Sequence, residues 1–395
     1  MRKIAAQYLF PANSAEPLKN GLLVLDDSGK ILEIRRMQQE EESTEFYNGI
    51  LVPGFVNSHC HIELSHLKGA FEKGTGMAGF IRQINSLRNS VSRDGRVSAI
   101  EQELRQMYDS GVSAMADISN CDESFLPKSQ SDIYTRTFLE VFGTEEKDVG
   151  HIMENVMALH QKAIQTGIDS SPTPHSCYTM SPQLLEAVAA ESLKSGWLSY
   201  HNQESWEEEE LLKNGEGPLA DEYKSRSLST PPICGKPSLF YFLERLKATG
   251  LLSGQNILLV HNTFSDYASI SEAKKEIANL YMALCPLSNL FIHNSLPPVR
   301  LLMEEGVDIT LGTDSLSSND VLSMVQEIKC LHSYFPDIPL AQIIEWSTMN
   351  GAKFLGVQER LGSFEPGKSP GVVLIDNIDW DKMKLTDSSK SVRLV

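Results

Sequence analysis

The chain has 395 residues, 41% hydrophobic and 22% charged, the balance of a globular protein with a sizeable core. Its 35 basic against 52 acidic residues leave a formal charge of −17, which disfavours a phosphate backbone and argues against nucleic acid as a partner. No run approaches the roughly 18 apolar residues of a membrane span, and residues 1–6 are followed by no apolar stretch of signal-peptide length, so no membrane partner and a cytoplasmic location are expected.

Residues 1–50 read as short strands and turns, with 21–26 and 30–35 forming a hairpin around Asp27-Ser28-Gly29. From residue 50 onward, apolar runs alternate with helical periodicity. The run 50–56 precedes helices over 78–89 and 97–109, and the runs 112–118 and 135–142 precede a helix over 149–166. Further runs end at His175, His201, His261, Cys285 and Gly312, with helices over 182–195, 236–248 and 266–278 between them. Helices over 320–330 and 340–354 follow, and the apolar stretch 372–376 regains the character of the N-terminus.

About eight strands alternating with helices predict a (β/α)8 TIM-like barrel over residues 51–359. The two strand-rich ends, 1–50 and 360–395, predict a small β-sandwich domain built from both chain termini. The acidic run Glu207-Glu208-Glu209-Glu210 reads as a solvated helix start or loop face, within a segment (205–235) that is either a lid over the substrate or a surface excursion. Six scattered cysteines (Cys60, Cys121, Cys177, Cys234, Cys285 and Cys330) form no C-x-x-C and are expected to be reduced, mostly buried thiols.

The chemistry gathers where the predicted strands end. His59 and His61, two apart on a strand, point to one face and can reach one inward point. His201 closes the run 197–200, and Glu204 would fall on the wrong face unless the strand stops at His201 and a turn returns the carboxylate over the barrel mouth. His261 ends the run 257–260, and Asp314 ends 307–313. Alone, the histidine pair could belong to a surface or a satisfied core, and Asp314 reads most simply as a helix cap. Four histidines and an aspartate at the same end of one barrel point instead to a metal-dependent site.

The stretch Pro53-Gly-Phe-Val-Asn-Ser-His-Cys-His61 resembles the first-strand signature of the amidohydrolase superfamily. His175-Ser-Cys-Tyr-Thr179, His201-Asn-Gln-Glu204, His261-Asn262 and Leu311-Gly-Thr-Asp-Ser315 follow in that family's order, and Gly362–Lys368 looks like its return to the β domain. The likeness is closest to the cytosine deaminase, guanine deaminase and chlorohydrolase branch. His59 to Gly69, followed by Gly76-Met-Ala-Gly-Phe80, is similar to aminodeoxyfutalosine deaminases within it.

The resemblance implies one divalent metal, zinc first and ferrous iron second, held by His59, His61, His201 and Asp314. Relatives with two metals carry a lysine on the fourth strand, and the run 167–175 has none. The implied reaction is hydrolytic deamination of an aminated N-heterocycle, an adenine nucleoside-like compound such as aminodeoxyfutalosine, by hydroxide generated at the metal, with release of ammonia. Asp314 would act as base, Glu204 would protonate the ring, and His261 would orient the nucleophile or stabilise developing charge. His175, Glu63 and Ser315 would contact substrate, Glu63 alternatively supporting His61 from behind. Cys285-Pro-Leu-Ser-Asn289 resembles the seventh-strand turn. A second deaminase fold with H-x-E and P-C-x-x-C is excluded, because His61-Ile-Glu63 has no C-x-x-C to join it.

The departure Gly367-Lys-Ser-Pro-Gly-Val372 touches only the β domain. Hydrolysis of a cyclic amide or a carbon–halogen bond on the same site, and a non-catalytic scaffold, are the competing readings. A homodimer is the expectation by analogy with barrel enzymes of this kind.

Overall fold

The computed structural model describes residues 1–13 and 16–395. Four strands open the chain: β1 (Arg2–Leu9), β2 (Leu18–Leu25), β3 (Ile31–Arg36) and β4 (Thr44–Pro53). The expected hairpin is β2–β3, antiparallel with Leu25 opposite Ile31. Its turn is held by Asp26, whose Oδ1 accepts from the Ser28 and Lys30 amides, a local side-chain bond that favours turn over strand.

Eight strands follow: β5 (Phe55–Cys60), β6 (Val112–Ser119), β7 (Tyr134–Val141), β8 (Asp169–Pro174), β9 (Trp197–Asn202), β10 (Asn256–His261), β11 (Asn279–Leu284) and β12 (Asp308–Leu311). The chain ends with β13 (Val372–Ile375), β14 (Ile378–Asp379), β15 (Lys384–Leu385) and β16 (Ser391–Arg393). Both termini share a six-stranded sheet in the order β16-β13-β4-β1-β2-β3. The single apolar run 50–56 is in fact divided. Its first part stays in this sheet, where β4 pairs with β13 through Val52 and Val373, and Phe55 starts the next layer beyond the Pro53-Gly54 break.

Strands β5 to β8 and β9 to β12 form two parallel four-stranded ladders. All eight residues of β6 are buried, as expected for a strand covered on both faces. Two seams close the ladders into a TIM-type barrel. At one, Cys60 bridges Asp314, and the amides of Thr313 and Asp314 both donate to the His59 carbonyl at 3.0 Å. Gly312 allows this approach, because a Cβ there would lie 2.8 Å from the His59 backbone. At the other, the His201 amide donates to the His175 carbonyl at 3.0 Å, and Thr173 Oγ1 donates to the Ser199 carbonyl.

The connecting helices largely follow the predicted periodicity. Pro182–Ser195, for instance, starts with Ser181 accepting the Leu184 amide and stops at Gly196, whose φ is +91°. The expected helix over 340–354 is two, Leu340–Trp346 and Met349–Leu355. Ser347 Oγ and Thr348 Oγ1 both donate to the Ile344 carbonyl at the break, competing with the helical ladder. The stretch Cys285-Pro-Leu-Ser-Asn289, which resembles a seventh-strand turn, instead starts a helix over Pro286–His293. Arg393 of β16 donates to the carbonyls of Tyr108 and Val112, so the terminal sheet docks where β6 begins, at the end opposite the strand C-termini. Among the described residues no helix is long and apolar enough to cross a membrane, and all six cysteines are free thiols.

Candidate active site

Both barrel seams fall on the residues singled out in sequence. His59 lies in β5, and Asp314 follows β12 across the first seam. His201 lies in β9, and His175 follows β8 across the second. The backbone leaves regular strand geometry at these ends: Gln203, His261, Asn262 and Asp314 all have φ between +44° and +71°. Non-glycine residues reach that region at a cost, and surrounding bonds must hold them there.

Ligand atoms of His59, His61 and His201 lie within 4.8 Å of one another, and all three residues are buried. His61 Nε2 is 3.2 Å from His201 Nε2, and Asp314 Oδ1 is 3.7 Å from Nε2 of both His59 and His61. Both ring nitrogens of His59 are buried without a hydrogen-bond partner among the described residues. His201 directs Nδ1 at the His175 carbonyl, 3.2 Å away, which places its proton there and its lone pair on Nε2. Burial pushes the His59, His201, His175 and His261 imidazoles toward the neutral form. Three buried imidazoles and one carboxylate converging on a point, with the orphaned buried nitrogens of His59 among them, fit a divalent metal.

Asp314 is held by its other oxygen. Oδ2 accepts from Ser288 Oγ at 2.6 Å and Ser318 Oγ at 2.7 Å, leaving Oδ1 toward the histidines. Burial alone would raise this carboxyl, but the imidazoles of His61, His261 and His59 together with the Ser288 hydroxyl hold it down to about 2. A second candidate ligand group joins Glu140 and His175 to His201. It would have to share His201 with the first group, although His201 offers only one free Nε2 lone pair.

Glu204 does return over the barrel mouth. Gln203 (φ +44°) makes the turn, and Glu204 Oε1 lies 3.5 Å from His261 Nε2. His261 Nδ1 contacts Asn289 Oδ1 at 3.3 Å, which turns Nε2 toward Glu204. Burial, helped by the charges of Asp314, Glu208 and Glu140, raises the Glu204 carboxyl well above the usual range, toward its protonated form. The environments of Glu204 and Asp314 thus shift the two carboxyls in opposite directions.

A cavity of about 440 Å³ opens above these groups and is lined by His61, His175, His201, Glu204, His261 and Asp314. Glu63 and Ser315 also line it. The Glu63 carboxylate is occupied by Arg88 Nη2 (2.8 Å), the Asn120 amide (3.0 Å) and Cys121 Sγ (3.3 Å), so it presents Arg88 to the cavity. The Ser315 hydroxyl is engaged with Ser317. Cys285 is buried and directly precedes the Pro286–His293 helix.

The acidic run 207–210 departs from its sequence reading. It does start a helix (Trp206–Asn214), but Glu207, Glu208 and Glu209 are buried rather than solvated. Glu207 accepts the amides of Met77 and Ala78, capping the Gly76–Leu87 helix. The run therefore ties segment 205–235 to a neighbouring wall, and Tyr223, Arg226 and Leu228 from that segment line the cavity.

Four further residues escaped the sequence reading. Glu140, one residue before the end of β7, has Oε1 buried without a hydrogen-bond partner among the described residues and 3.6 Å from His201 Nδ1. The rule that located the histidines, polar groups at strand C-termini, applies to it equally. His293 lies 4.0 Å from Glu204 Oε1 with both ring nitrogens unpartnered among the described residues. Lys128 and Asp117 form a fully buried ion pair, and Asp117 accepts the Ile62 amide just past His61. No spacing rule marks these two.

The sequence is 25% identical over 392 residues to an adenosine deaminase of Helicobacter pylori, covering 92% of this chain and 89% of that protein. The structure superposes on the crystal structure of Helicobacter pylori aminofutalosine deaminase in complex with methylthio-coformycin at a TM-score of 0.81 and 22% identity, over 100% of both chains. It matches an adenosine deaminase from Xanthomonas campestris with bound zinc at a TM-score of 0.73 and 20% identity, over 95% of this chain and 84% of that one. The model of the Amidohydrolase family matches residues 50–393, and the chain belongs to that family.

Proposed function

We propose that the protein is a metal-dependent hydrolytic deaminase of adenine nucleoside-like compounds. The observation that carries this reading is the convergence of His59, His61, His201 and Asp314 Oδ1, with the buried Glu204 Oε1 3.5 Å from His261 Nε2 in the same cavity. The relatives named above, adenosine and aminofutalosine deaminases, support the substrate class.

In this reading His59, His61, His201 and Asp314 hold one divalent metal, for which the zinc of the Xanthomonas relative favours zinc. The bound metal would lower the pKa of water toward neutrality. The amino-bearing ring carbon is attacked by water while Asp314 Oδ1 takes one of its protons. Glu204 gives its proton to the adjacent ring nitrogen, relieving the charge that attack puts on the ring. Asp314 then passes its proton to the departing amine, which leaves as ammonia. The second water proton returns to Glu204 as the new carbonyl forms, so both residues end as they began. His261 Nε2, beside Glu204 Oε1, orients the attacking water, and His175, Ser315 and the Glu63–Arg88 pair contact the rest of the substrate.

The chain is read as two units, a barrel over 51–359 and a small β domain over 1–50 and 360–395. The stack of Tyr8 on Trp380, with ring centroids 5.8 Å apart, lays the β14–β15 hairpin against the terminal sheet and supports a sandwich-like arrangement. The test of function is ammonia release by the zinc-loaded protein from adenosine, 5′-deoxyadenosine, 5′-methylthioadenosine and aminodeoxyfutalosine. Turnover of at least one supports the reading. Chloride release or cyclic-amide opening, with no ammonia from any of the four, overturns it.

A further inference from the structure

We infer that Glu208 is a positioning residue for the reaction: its carboxylate holds the left-handed turn that delivers Glu204 to the substrate. The inference rests on the role given above to Glu204.

The local sequence is a helix start of a familiar kind. Ser205 is the N-cap of the Trp206–Asn214 helix, and its hydroxyl accepts the Glu208 amide at 3.1 Å. A glutamate three residues after a serine cap ordinarily reaches back to the cap residue's own amide. Glu208 reaches further. Its Oε1 accepts the Gln203 amide at 3.1 Å, and its Oε2 accepts the Glu204 amide at 3.0 Å. The capping carboxylate is thereby spent on the two residues that turn the chain over the barrel mouth.

That turn needs holding. Gln203 sits at φ +44°, a conformation a non-glycine residue adopts only under constraint, and reversal there puts Glu204 on the cavity side instead of the far face of β9. The other bonds to the turn reach the Gln203 side chain and carbonyl: Ser265 Oγ donates to Gln203 Oε1, and the Phe264 amide to the Gln203 carbonyl. Glu208 alone takes the amide that leads into Glu204. Glu208 is itself fixed, fully buried, with Ser238 Oγ 2.5 Å from Oε1 and Cys177 Sγ at 3.5 Å. A displacement of about 1 Å at a catalytic carboxyl is enough to cost on the order of a hundredfold in rate.

The test is a double-mutant cycle on the zinc-loaded full chain, reading kcat, KM, bound zinc and Tm for ammonia release from the best adenine nucleoside. Glu208→Gln keeps the shape and one acceptor, and Glu208→Asp keeps the charge but cannot span both amides. Each is expected to lower kcat about ten- to a hundredfold, with KM within about twofold and zinc content unchanged. In a Glu204→Gln background the same changes should cost nothing further in kcat, because the group they position is already gone. Ser205→Ala, which removes the helix cap but leaves the Glu208 bonds to the turn, should lower Tm and spare kcat. Additive losses in the double variant, or Glu208 variants that match wild type in kcat, overturn the positioning role while an impaired Glu204→Gln leaves the functional reading standing. A fully active Glu204→Gln overturns both.

Discussion

The replacement Glu204→Gln isolates proton transfer from everything else this residue does. The amide has the shape of the carboxyl, and the bond that fixes the Glu204 backbone, its amide to Glu208 Oε2 at 3.0 Å, does not involve the altered side chain. Metal binding should persist, since the His59, His61, His201 and Asp314 cluster is untouched. The amide can still donate one hydrogen bond to a ring nitrogen but cannot surrender a proton. General acid catalysis contributes roughly 10²- to 10⁴-fold, so kcat/KM should fall by that factor, about 3–5 kcal/mol in barrier. The pH dependence carries the sharper signature. Wild-type activity requires the protonated form, whose pKa burial and neighbouring carboxylates have raised, so kcat/KM should decline as pH climbs through that elevated value. The variant should lose that alkaline limb. Ammonia release from pH 5 to 10, with zinc measured by elemental analysis, decides the matter. A zinc-replete variant within about tenfold of wild type, or one that keeps the alkaline limb, would refute the acid assignment.

Four other outcomes are expected. His59→Ala and Asp314→Ala should each lose zinc and turnover together, and retention of a full equivalent of metal by either would count against the ligand set. Elemental analysis of the wild type should give one equivalent per chain, because His201 has one lone pair to give; two tight equivalents would contradict this. Ser318→Ala removes one of the two hydroxyls on Asp314 Oδ2 and should weaken zinc affinity about 10- to 100-fold in chelator competition, with an unchanged affinity as the negative result. Glu327 is buried, accepts the Leu287 and Asn319 donors, and is pushed up to about 8 from 4.5. A carboxyl raised in the folded state contributes stability that is full below its unfolded pKa and is lost as pH rises through 8. That contribution is capped at about 5 kcal/mol. Glu327→Gln should flatten the fall of Tm between pH 5 and 8, and parallel curves would show that the group is not responsible.

What could be read in the sequence was whatever chemistry forces into a repeating position. Strand and helix alternated in the barrel because one face of each helix and both faces of each strand are buried, and that pattern survives in a single chain. His59, His61, His201, His261 and Asp314 were visible because each ends an apolar run. The divided run at 50–56 was not, since β4 and β5 are equally apolar and only Pro53-Gly54 separates them. The broken helix at 347–348 escaped for a similar reason: the competing hydroxyl bonds of Ser347 and Thr348 do not alter hydrophobic periodicity.

The harder omissions are the carboxylates that work from behind. Asp117 accepts the amide after His61, Glu208 the amides of Gln203 and Glu204, and Glu327 an amide of the Leu287 turn together with Asn319. Each receives donors from a segment just past a barrel strand, and each is buried. The reason is common to all three. A side chain aimed inward from a strand end requires the backbone to leave the ladder there, and the amides freed by that departure must find acceptors within the protein. Acidic residues on a surface and acidic residues serving a turn look alike in composition, which is why 207–210 read as a solvated face. The distinction becomes visible only when the orphaned amides are placed, and they are placed by the same irregular geometry that brings Glu204 and Asp314 into the cavity. The supporting carboxylates and the reacting groups are therefore one structural requirement: the turn that aims Glu204 inward, like those after His61 and at Leu287, is a turn whose freed amides these buried acceptors satisfy.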